Sequence, residues 1–243
     1  MNIRKFIAFS LVTLCVLSLS GCYETFLSSR EYHSPKYSTY IYQLYEQNTE
    51  ASPNKRPQLQ QVQLPIRIGV AQIGEYTPSK VMLDELQKNP RLFSHIESLP
   101  TEVDRERNTY YQPEQKETPK QDSTKDIAKM IGLAQDLGVD YIFLYGGTVD
   151  ISAKSNLWSV FDITIVGAYI LPGYDYKAAG RASGALIDVR TQKVIFMVSA
   201  EDSLTASRAT AMTSGYEDTV LDKVKTRLTK LIAKQFIDKM ASL

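Results

Sequence analysis

Pro65-Ile66-Arg67-Ile68-Gly69-Val70-Ala71-Gln72-Ile73 is a short, nearly continuous apolar run. A strand with one wet face alternates apolar and polar residues; a run like this one reads as a strand covered on both faces. It therefore asks for a sheet with helices, and the residues downstream supply them. Pro78 and Ser79 open a helical stretch through Leu83 and Leu86 that Asn89-Pro90 closes. Residues 93–99 read as a weaker strand ending before Pro100. Asp122 or Ser123 caps a second helix, in which Ile127, Met130, Ile131 and Ala134 recur until Leu137-Gly138 ends it. Residues 139–149, with Tyr141-Ile142-Phe143-Leu144-Tyr145, read as a second central strand.

Residues 162–171, 176–190 and 193–206 then read as three long β segments, the last pair joined around Thr191-Gln192. Small residues on one face of residues 176–184 predict close approach by a helix or another backbone. Val220, Leu221, Val224, Leu228, Leu231, Ile232, Phe236 and Met240 recur every three to four residues, which predicts a closing amphipathic helix. Asp218 near its start and Lys239 near its end suit the helix dipole. The order β-α-β-α-β-β-β-β-α predicts one α/β (α+β) domain over residues 64–243, a mixed-sheet layer with helices packed on it.

Upstream, Arg4 and Lys5 precede an apolar run from Phe6 to Leu19, and Leu19-Ser20-Gly21-Cys22 follows. The run is too short and wrongly flanked for a stable membrane span. The Leu-small-small-Cys sequence resembles the lipobox of bacterial lipoprotein precursors. That resemblance implies that residues 1–21 are a signal peptide recognised through Leu19, Ser20 and Gly21, and that Cys22 becomes the lipid-bearing amino end. Tyr23 stands where the inner-membrane retention signal of enteric bacteria has Asp, so the expected location is the periplasmic face of the outer membrane. Residues 22–63, polar and punctuated by Pro35, Pro53 and Pro57, read as a flexible tether. Tyr37, Ile41, Leu44 and Tyr45 recur there at helical spacing, as a core-packing clip or a partner-binding stripe. Residues 101–124, with almost nothing apolar, read as a flexible insertion.

Removing Arg4 and Lys5 with the signal takes the formal charge from +1 to −1, so no global field recruits nucleic acid or anionic lipid. Cys15 leaves with the signal and Cys22 is consumed by lipid, which leaves no thiol for a disulfide or metal site. The partners expected are the membrane through Cys22, and an envelope protein or further copies of the chain.

Ile66 to Ala71, Leu137-Gly138-Val139-Asp140-Tyr141-Ile142 and residues 185–196 resemble the periplasmic domains of the curli-secretion lipoprotein and the amino-terminal domain of TolB. In residues 185–196 a hydrophobic-Asp-hydrophobic strand end turns through Thr191-Gln192 into Lys193-Val194-Ile195, with Gln192 at the place those domains give to Gly. A closer likeness is to the rhombotarget lipoprotein family. It rests on the lipobox, Leu64 to Ala71, Leu137 to Asp140, Thr164-Ile165-Val166-Gly167-Ala168-Tyr169 with Gly173 after it, and the Asp188-Val189 hairpin. The family implies a location and a fold rather than a reaction. The chain ends Lys239-Met240-Ala241-Ser242-Leu243 without a Gly-Gly tail, so rhombosortase processing is not expected.

Chemistry is sparse. His33 and His95 are the two histidines, and no Gly-x-Ser-x-Gly elbow presents a serine. The spacing holds no metal-ligand pattern, and no cofactor is expected. Asp140, Asp150, Asp162, Asp175 and Asp188 fall mostly at strand ends, where turn and capping roles account for them and a paired-carboxylate hydrolase is the enzymatic alternative. Gly146-Gly147 after a central strand reads as a sharp turn or, in a sharper reading, an approach to phosphate.

Two stretches carry binding hypotheses. Asn156 to Phe161 holds the chain's single tryptophan and runs into the nearly uncharged residues 163–171. Either it is an inner strand with its aromatics in the core, or Trp158, Phe161, Ile165, Val166 and Tyr169 contact a membrane or partner. The same run is the one candidate limb for a transmembrane hairpin of an oligomeric, pore-type assembly. The edge at residues 193–207 accepts a partner's strand or is an ordinary protected edge. The expectation is a non-enzymatic, lipid-anchored adaptor.

Overall fold

The computed structural model describes residues 28–32, 62–101 and 123–243. The expected signal peptide, Cys22, His33, the Tyr37–Tyr45 stripe and most of the expected insertion lie outside them. The described chain forms a single mixed sheet with packed helices. Its strands are β1 (Ser28–Tyr32), β2 (Ile66–Gln72), β3 (Phe93–Ser98), β4 (Tyr141–Ser155), β5 (Tyr174–Asp188) and β6 (Val194–Arg208). The helices are α1 (Lys80–Gln87), α2 (Ser123–Asp136), α3 (Ile165–Ile170) and α4 (Tyr216–Ala241). The sheet order is β3-β2-β4-β5-β6. β2 is parallel to β3 and β4, whereas β4, β5 and β6 form an antiparallel meander.

β2 is the strand its sequence describes: Ile66, Ile68 and Val70 enter one core, Ala71 the other. On the main face Phe143, Tyr145, Val149, Ile151 and Ala153 of β4 alternate inward with Tyr176, Ala178, Ala182 and Leu186 of β5. α4 and α1 cover this face. On the other face, Ile142, Leu144 and Ile187 meet Ile131 and Ala134 of α2. That second cover stops halfway. Beyond it, Asp150, Lys154, Lys177, Ala179, Arg181, Ser203 and Thr205 form an open, polar sheet face.

α4 is 26 residues long, about 39 Å, and crosses β4, β5 and β6. Val220, Leu221, Val224, Leu228, Ile232, Phe236 and Met240 are buried along it, but Leu231 is 38% exposed and belongs to the solvent side. The predicted stripe was one residue too wide, because Ile232 and Leu228 already fill that arc. Gly180 explains the small-residue face of β5: a Cβ there would run into Leu228 Cδ1 and lie 3.0 Å from Val149 Cγ2. Arg227 ties the helix to β6, its Nη2 donating to Asp202 Oδ1 at 2.8 Å and its Nε 2.8 Å from Oδ2.

Three expectations change. β4 continues through Ser155 because Val149, Ile151 and Ala153 keep the inward alternation. Gly146 and Gly147 therefore lie in the ladder opposite Ser183 and Ala182, not in a turn. Residues 162–171 are not a strand: a 3-10 helix (Leu157–Ile163) and α3 occupy the run. Within the expected tether, β1 pairs with the outer half of β4, from Ser28 opposite Ala153 to Tyr32 opposite Val149.

The β5–β6 turn puts Gln192 at φ 58°, and its N–H reaches Asp188 O at 2.8 Å. This left-handed geometry costs a side-chain-bearing residue roughly 1–2 kcal/mol, part of which glycine's looser unfolded state takes back. Gln192→Gly is expected to raise the urea-unfolding stability by up to about 1 kcal/mol. A loss of stability would show that the Gln192 side chain holds the turn.

Candidate functional site

The helical run between β4 and β5 is a cap at one end of the sheet, and local hydrogen bonds build it. Asn156 Oδ1 accepts from Trp158 N at 3.0 Å and starts the 3-10 helix. Its Nδ2 donates to Pro172 O at 2.6 Å and to Asp175 Oδ1 at 3.0 Å, which closes the neck. Ser207 of β6 donates to the same Asp175 oxygen at 2.6 Å. Thr164 Oγ1 then caps α3, accepting from Gly167 N at 3.0 Å. Gly167 lies so close beneath the 3-10 helix that a Cβ would fall on Phe161 O. A strand was excluded once two side-chain caps and this close turn were available, with no ladder partner for the run.

The cap turns its apolar side chains outward. Leu157 is 83% exposed, Ile165 82% and Ile170 70%. Trp158, Val160, Phe161, Val166 and Tyr169 are each at least half exposed. Trp158 and Phe161 lean on each other with centroids 6.0 Å apart. Met212 adds its exposed side chain from the 3-10 turn Thr210–Met212, which α3 contacts. Asp162 is the one charged residue between Lys154 and Asp175. Under the cap, Ser155, Asn156, Leu157, Trp158, Pro172, Asp175 and Ser207 line a shallow open cleft. The candidate binding residues Trp158, Phe161, Ile165, Val166 and Tyr169 thus stand on one exposed surface and not in the core.

The other candidates scatter. Asp175 clamps the neck, and Asp188 accepts from Thr191 N at 2.7 Å in the β5–β6 turn. They are thirteen residues, roughly 44 Å, apart along β5. Asp140 and Asp188 do flank Tyr141, whose pKa burial raises first and the two carboxylates raise further. Asp150 lies opposite Ala179 on the open face. His95 Nε2 is 2.6 Å from Glu97 Oε1 at the exposed β3 edge. Among the described residues, no group of three His, Cys, Asp or Glu is placed to hold a metal.

The carboxyl end of the parallel strands, where α/β sheets commonly hold ligands, contains a cluster that the sequence did not suggest. Ser79 N donates to Gln72 Oε1 at 2.8 Å and to Tyr145 Oη at 3.0 Å. Tyr145 donates to Gln72 Oε1 at 2.6 Å. Burial pushes the Tyr145 phenol well above the usual tyrosine range, so it stays protonated and keeps donating. These side chains satisfy one another and fill the start of α1.

No protein-family model matches the chain, and no curated protein matches it. Similar solved structures include a PelC dodecamer from Paraburkholderia phytofirmans in two crystal forms. One is 12% identical, covering 69% of this chain and 91% of that chain with a TM-score of 0.27. The other is 13% identical, covering 68% and 83% with a TM-score of 0.28. A neuraminyllactose-binding hemagglutinin homolog from Helicobacter pylori is 13% identical, covering 73% and 82% with a TM-score of 0.30. Likenesses this distant fix neither a family nor an activity for the chain.

Proposed function

We propose that the chain is a non-enzymatic binding module of the bacterial envelope, anchored by lipid on Cys22 and docking through its apolar cap. The cap carries the reading. Leu157, Trp158, Val160, Phe161, Ile165, Val166, Tyr169 and Ile170 are exposed together on a scaffold whose polar neck is fully engaged. Fixed caps at Asn156 and Thr164 hold these side chains in place before a partner arrives, which lowers the ordering cost of binding. The anchor is supported by the Leu19-Ser20-Gly21-Cys22 sequence and the apolar run before it. Anchoring then confines the module to one surface and raises the effective concentration of anything docked there.

Chemical crosslinking in cells, with Cys22→Ser as control, tests the two parts together. The expected result is discrete adducts with envelope components that disappear from the unanchored control. The same adducts with and without Cys22, or none, would contradict it.

A further inference from the structure

We infer that the apolar cap seats in the interfacial layer of the same bilayer that carries the chain's own lipid, so that the module is held at the membrane by two points. This names the partner of the docking surface and rests on the binding-module reading. The decisive observation is where β1 enters the sheet. Ser28 lies opposite Ala153, next to the cap, and the strand runs away from the cap to Tyr32 opposite Val149. Residues 23–27 separate Ser28 from Cys22, so the lipid-bearing residue is within about 20 Å of the cap end of the sheet. The other end of β4, at Tyr141, is twelve residues and roughly 40 Å farther along. With acyl chains buried at Cys22, the cap end is the end held against the membrane.

The composition of the cap suits that position. Its two short helices are apolar outward, and none of the described helices is long and apolar enough to cross a membrane. Helices of this kind lie in the plane of the surface, with their apolar side about 5–10 Å deep. Trp158 and Tyr169 are the residue types that favour the interface itself. Lys154 and Lys177 stand exposed at the neck, at the level where anionic headgroups would lie. A second, noncovalent contact also fixes the orientation of the domain, which one flexible acyl anchor does not.

The single tryptophan of the chain makes the test direct. The full lipidated protein is reconstituted in phosphatidylethanolamine–phosphatidylglycerol vesicles, with and without bromine on the acyl chains. Brominated lipid is expected to quench Trp158 about twofold or more, as a ring seated at that depth would be. The variant Ile165→Asp/Ile170→Asp, still floating with the vesicles through its lipid, is expected to lose the quenching. Unquenched Trp158 in wild-type protein that floats would overturn the inference. If crosslinked adducts persist in cells, the docking reading survives that result with a protein as its partner. A concentration-dependent blue shift without bromine quenching would overturn it in favour of a second copy of the chain. Protein that does not float at all would remove the anchor at Cys22, and the inference with it.

Discussion

Phe236→Ala lowers the unfolding free energy by about 3–5 kcal/mol, the range for removing a large aromatic from a closed core. Phe236 has no exposed surface. Its ring stacks on Phe143 of β4 at 3.9 Å between centroids, and lies 5.8 Å from Phe93 of β3 and from Phe196 of β6. One side chain from the last helix therefore joins a central strand to strands at both edges of the sheet. Its removal leaves a void bounded by three rings that are each held by their own strand, so collapse around it is limited. Urea unfolding at constant m-value measures the loss. Leu231→Ala, on the solvent side of the same helix, is the control and is expected to change stability by no more than about 0.5 kcal/mol. A loss below about 1.5 kcal/mol for Phe236→Ala would mean that α4 does not close the core.

The cap responds in the opposite way. Ile165→Asp/Ile170→Asp is expected to leave unfolding stability within about 0.5 kcal/mol of wild type, because both side chains already face water. Docking is expected to weaken by about a hundredfold or more. Burial of each isoleucine contributes roughly 1.5–3 kcal/mol, and every 1.4 kcal/mol is about a factor of ten. Comparing the unfolding curve with partner crosslinking, or with quenching of Trp158 by brominated lipid, in the same full-length protein separates the two effects. A large stability loss would return these residues to the core, which was the alternative that composition left open.

Much of the fold was legible because periodicity and capping agree. Ser79 does cap α1, accepting from Val81 N at 3.3 Å. Gly138 does end α2 in a left-handed conformation at φ 64°. The strand alternation of β5 and β6 placed those strands to within two residues. The cap was misread for a physical reason. Residues 157–171 are rich in β-branched and aromatic types whose strand preference expresses packing on a sheet surface, but local side-chain caps and the close turn at Gly167 favour helix there. Asn156 and Thr164, each two or three residues ahead of an N–H they accept from, were the signal for helices. Composition singled out Trp158, Phe161, Ile165, Val166 and Tyr169; their exposure follows only from the folded neck. β1 was illegible because Ser28-Ser29-Arg30-Glu31-Tyr32 has no apolar pattern, and its pairing is decided by the open side of β4.

The most direct measurement replaces Ile165, and separately Thr205 on the open polar face, with a photoreactive amino acid in the full chain in living cells. The account predicts strong adducts from position 165 and background labelling from position 205. Equal labelling, or adducts from position 205 alone, would contradict the cap as the working surface.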